Sequence, residues 1–157
     1  ELEALMKPWL LFVFGVILCW GAYVPTIHHG QKGFGGPSAA YKAFLFVGIA
    51  YFLVAVVAPG GLLMAGGELK SLSGKGMGMS LVAGTLGALG ALCIILAMKY
   101  GGKPIFVAPA VFAGAPVMNT IVSMIWDKPA KSPSALFFVG IVLAGAGAFM
   151  VLRFKPS

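Results

Sequence analysis

The chain reads as an all-α integral membrane bundle of five transmembrane helices, and three observations carry that reading. Five stretches hold no charged side chain: Trp9 to Ile27, Ala43 to Gly67, Gly76 to Met98, Pro104 to Trp126 and Ser132 to Leu152. About 20 apolar residues, rising 1.5 Å each in a helix, cross the ~30 Å hydrocarbon core of a bilayer, and each stretch is long enough to do so. The composition is 60% hydrophobic with a mean hydropathy of +1.00, and its four acidic residues are too few to solvate a globular surface.

The elements follow in order, as one membrane domain over 1–157 with helices at about 8–27, 43–66, 77–98, 104–126 and 133–153. The first follows Lys7, outruns the core of a secretory signal and closes on Trp20, Tyr23, Pro25 and Thr26, so it reads as a retained helix. The glycine-rich run from His28 to Ser38 reads as a loop into the second, mainly aliphatic and aromatic helix. Glu68 to Lys75 links to the third, where Ala83, Gly84, Gly87, Ala88, Gly90 and Ala91 predict a closely packed, central helix, because small residues let backbones approach in lipid. Pro104 and Pro133 suit the first turns of the fourth and fifth helices, since a first-turn residue needs no N–H partner. The fifth repeats the small-residue pattern in Gly140, Ala144, Gly145, Gly147 and Ala148, which serves either packing within the bundle or a dimer interface.

The formal charge is +7, with Lys and Arg placed almost entirely between the apolar runs. That placement predicts membrane lipid head groups as partners and excludes a nucleic-acid footprint, which needs basic residues on one face or interleaved with aromatics. Lys7, Lys70, Lys75, Lys128 and Lys131 fall on one side of the membrane, and Lys32, Lys42, Lys99, Lys103, Arg153 and Lys155 on the other. So even a balance leaves the chain unoriented by its positive charges. Cys19 and Cys93 stand alone in apolar runs and read as packing residues.

No Asp, Glu, Lys or Arg lies inside a span, so coupling through an intramembrane carboxylate is not expected. Nucleophile, phosphate-loop and paired-carboxylate patterns are also missing; no enzyme, cofactor or metal site is expected. The fourth helix is the most unusual. Pro109 and Pro116 each remove a backbone hydrogen bond, freeing carbonyls near Ile105 and Phe112, and predict either a broken, substrate-binding helix or a structural kink. Asn119, Thr120 and Ser123 add a polar stripe suited to interhelical hydrogen bonds or to solute contact. Trp20 and Tyr23 can stack on an organic solute or anchor at the interface. His28 and His29 lack a companion carboxylate or thiolate and read as a solvated loop pair.

The segment WGAYVPTIHHGQ, with Trp20, Gly21, Tyr23 and Pro25, resembles the first-helix ending of the drug/metabolite transporter superfamily. The stretch APAVFAGAPVMNTIVSMIWDKPAKSPSALFFVGIVLAGAGAFMVL is similar to the same family's proline-bearing fourth helix, acidic exit, polar link and Gly/Ala-rich last helix. Pro116 matches the proline and Asp127 the acid. The resemblance, to a single five-helix EamA-type repeat, covers nearly the whole chain. It implies a transporter subunit of the bacterial inner membrane, moving a small polar or amphipathic organic solute by alternating access. Trp20 and Tyr23 would stack, Pro109 and Pro116 would shape a break, and Asn119, Thr120 and Ser123 would hydrogen-bond the solute. Most members carry two repeats, so a homodimer or a second membrane subunit is implied, and the even charge balance fits an inverted pair. The alternative expectation is a non-transporting structural or accessory subunit within a larger membrane complex.

Overall fold

A computed structural model describes residues 8–68, 72–127 and 133–154. These form helices α1 (Pro8–Phe34), α2 (Ala39–Ala65), α3 (Gly74–Lys99), α4 (Pro104–Asp127) and α5 (Ala135–Arg153), with no strand among the described residues. All five are long and apolar enough to cross a membrane, so the all-α bundle read from hydropathy is the observed class. Lys7, Lys70, Lys128, Lys131 and Lys155, counted in the charge balance, lie outside the described residues.

Two compact units organise the chain, one of Thr26–Gly101 and one of the segments before and after it. In the first, α1 runs seven residues past its expected end, through His28 and His29 to Phe34. With 27 residues at 1.5 Å it measures about 40 Å, longer than a hydrocarbon core, so its last turns can carry polar side chains without leaving the helix. What ends it is the glycine pair Gly35 and Gly36, at φ of 59° and 71°. Only residues without a Cβ adopt such angles at no cost, and the Gly35 N–H closes the last turn on the Gln31 carbonyl at 3.2 Å.

After that tight turn α2 starts at Ala39 and packs against α3. The side chains they bury are Ala40 and Ala43 on α2, and Ala91, Ile94, Ile95 and Met98 on α3. Gln31 is the buried polar residue of this region, 8% exposed, and its Nε2 donates to the Ile95 carbonyl at 3.3 Å. The bond ties the end of α1 to the end of α3. Gly84, Gly87 and Gly90, expected to mark the packed face of α3, lie instead at the surface, and a methyl placed on any of them meets no atom within 4 Å. The close packing uses alanine and branched side chains one turn further on.

α2 is not a plain α-helix. Leu53–Val57 forms a π turn, in which the Ala58 N–H reaches back to the Leu53 carbonyl. The cause stands just beyond it. Pro59 offers no N–H and its ring crowds the carbonyl four residues earlier, so a widened turn relieves the clash. α3 starts at Gly74, capped by the Ser73 hydroxyl, which accepts from the Gly76 N–H at 3.3 Å.

In the second unit α4 and α5 pack on each other. The half-buried positions of α5 include Ile141, Ala144, Gly145 and Ala148, spaced as one helical face. Ser134 starts α5, accepting from the Phe137 N–H at 3.3 Å, so Pro133 lies before the helix rather than in its first turn. Pro104 does open α4.

Candidate functional site

The side chains singled out on α1 and α4 divide into those the fold assembles and those it leaves apart. Trp20 and Tyr23 stand one turn apart on α1, with ring centroids 6.0 Å apart and planes tilted by 48°. Phe112 of α4 meets Trp20 edge to face, at 6.1 Å and 86°. Such a perpendicular pair places the positive edge of one ring on the negative face of the other and stabilises by about 0.5–1.5 kcal/mol beyond area burial. Trp20 keeps 37% of its surface open and so retains a free ring area for a flat or apolar part of a solute.

Phe112 is the residue sequence reasoning passed over, having marked only its carbonyl as freed. Its signal was present: it lies three residues after Pro109 and four before Pro116. Those prolines do not break α4, which is α-helical from Pro104 to Asp127, and both lie on its exposed surface. A transmembrane helix tolerates proline where neighbouring groups satisfy the backbone carbonyls it frees.

The polar stripe is a separate feature. Thr120 and Ser123 are half-buried, whereas Asn119 is exposed. At 1.5 Å per residue Thr120 sits about 12 Å along the axis from Phe112, so the stripe and the rings occupy successive levels of α4. A solute spanning both levels could stack at one end and hydrogen-bond at the other.

His28 and His29 are helical rather than in a loop, because α1 continues beneath them; their rings lie 6.3 Å apart at 71°. The Nδ1 of His28 is buried and has no hydrogen-bond partner, while His29 is exposed. Among the described residues no cluster of His, Cys, Asp or Glu could hold a metal ion. No protein-family model, curated protein or solved structure matches this chain.

Proposed function

We propose that the chain is one half of a drug/metabolite-type carrier of the bacterial inner membrane, moving a small polar or amphipathic organic solute by alternating access. The observation that carries the reading is the ring group Trp20, Tyr23 and Phe112 on α1 and α4, followed along α4 by Thr120 and Ser123. It is an uncharged wall, apolar at one level and hydrogen-bonding at the next, of the kind that holds organic solutes. Asn119, Pro109 and Pro116 face outward from α4, and a second inverted copy supplying the opposing wall would enclose them. With no Asp, Glu, Lys or Arg inside a span, uniport or coupling through His28 or His29 fits better than a carboxylate antiport.

The test uses Trp9→Phe with Trp126→Phe, leaving Trp20 as the sole indole. A panel of small organic solutes is screened for quenching of Trp20 fluorescence, and each quencher is then followed into proteoliposomes. Trp20→Ala and Asn119→Leu should each lower uptake at least tenfold while the pair still migrates as a dimer. Uptake indifferent to both variants refutes the site. A chain that transports none of the quenchers and purifies only within a large assembly supports an accessory subunit instead.

A further inference from the structure

Three of the five lysines of Thr26–Gly101, Lys32, Lys42 and Lys99, stand at the helix ends of α1, α2 and α3 that meet at the α1–α2 turn. A cavity of about 420 Å³ opens there, with His28, Gln31 and Lys32 from α1, Ala39 and Ala40 from the start of α2, and Lys99 from the end of α3 in its wall. The one acidic residue of this unit, Glu68, follows the far end of α2, a helix of 27 residues and thus about 40 Å. Among the described residues no carboxylate lines the cavity.

The helix ends around it do not cancel the two ammonium groups. Lys32 and Lys99 lie in the last turns of α1 and α3, whose carbonyl ends carry about half a negative charge each. α2 begins at the same place, and its N-terminal end returns about half a positive charge. Roughly one and a half positive charges are left without a protein counter-charge. Ser38, in the capping position of α2, makes no side-chain cap bond, so that helix end is also left to an incoming acceptor.

The side chains are held in place without being neutralised. The Lys99 ammonium rests 4.7 Å from the centre of the Tyr41 ring and 5.6 Å from that of Tyr100, contacts that orient a cation yet leave its charge intact. Gln31 is fixed by its bond to Ile95, and its amide nitrogen carries a second hydrogen to donate. The charge-free stretch of α1 ends at Ile27, one residue before the first side chain of the cavity wall. Two lysines, an amide donor and a helix start at head-group depth are the partners of a phosphate, and the volume leaves room for the organic group that bears it.

We propose that this cavity binds a phosphate group, presented either by an anionic phospholipid or by a soluble organic phosphate. The assignment stands apart from the carrier reading, since it uses none of the residues of the aromatic wall.

The test takes the full chain, delipidated in a neutral detergent, through two titrations followed by thermal shift and native mass spectrometry. One adds phosphatidylglycerol against phosphatidylcholine; the other adds glycerol 3-phosphate against chloride at equal ionic strength. Saturable binding in the first alone assigns a lipid, and in the second a soluble phosphate. Lys32→Gln and Lys99→Gln should each weaken binding at least tenfold, Lys99→Arg should retain most of it, and Lys75→Gln, which removes the same charge at the other end of α3, should change it less than twofold. If Lys99→Gln loses its helical circular dichroism, Lys32→Gln decides. No saturation in either titration, or an equal loss in Lys75→Gln, overturns the proposal.

Discussion

Replacing Gln31 by leucine isolates the contribution of one buried hydrogen bond between helix ends. Gln31 is 8% exposed and its amide donates 3.3 Å to the Ile95 carbonyl. That carbonyl sits inside α3, where helix geometry already supplies the Lys99 N–H as its partner, so Gln31→Leu strands no buried acceptor. Leucine also fills nearly the same volume. The loss is then the net value of the bond alone, about 0.6–1.5 kcal/mol, or roughly 3- to 10-fold in the opening equilibrium of the α1–α2 hairpin. Gln31→Ala removes the side-chain bulk as well and leaves a void beside Ile95, raising the loss to roughly 2–3 kcal/mol. Hydrogen exchange at the last turn of α1, whose Gly35 N–H is bonded to the Gln31 carbonyl, read by mass spectrometry in detergent, reports that opening directly. Exchange unchanged in both variants, or equal acceleration in the two, would refute the argument that a bond and a packed volume contribute separately here.

Two further substitutions probe how the same unit is built. Ala91→Leu forces three extra carbons into a position 2% exposed and should cost about 1–3 kcal/mol in thermal stability, whereas Ala88→Leu, on the exposed part of α3, should leave it nearly unchanged. Gly35→Ala meets no atom within 4 Å, so its whole cost is the left-handed backbone at φ 59°, about 1–2 kcal/mol; Gly33→Ala, at the last helical position but one of α1 with equally open space, should stabilise by roughly 0.5–1 kcal/mol. Melting in detergent that ranks these two glycines the other way would contradict the assigned end of α1.

The spans were legible because lipid imposes a length and a polarity that no other solvent does. Their ends were less so. His28 to Phe34 carries histidine, glycine and lysine, a loop composition in water, yet the helix persists because backbone N–H groups at the membrane boundary are best satisfied within it. The two prolines of α4 stood out in the sequence and left its α-helix intact, whereas Pro59, unremarked between Ala58 and Gly60, accompanies the π turn. Proline identity tells which hydrogen bond is lost; it does not tell whether the backbone widens. The ring group was half legible: Trp20 and Tyr23 share a helix face by spacing, but their meeting with Phe112 is a tertiary contact between residues 92 positions apart, 112 less 20. Gln31 had no signal beyond being polar near a helix end, and the gathering of Lys32 and Lys99 at one turn required the antiparallel course of three helices.

The widened turn at Leu53–Val57 also sets where this chain can change length. A π turn accommodates a surplus residue, so deleting one position there, together with Pro59→Ala, leaves Ala39–Phe52 and Ala58–Ala65 presenting the faces they present now. The same deletion elsewhere in the span would swing everything beyond it by about 100°, turning lipid-facing side chains toward their neighbours. Among related chains, single-residue insertions and deletions within this membrane crossing should therefore collect at that one site.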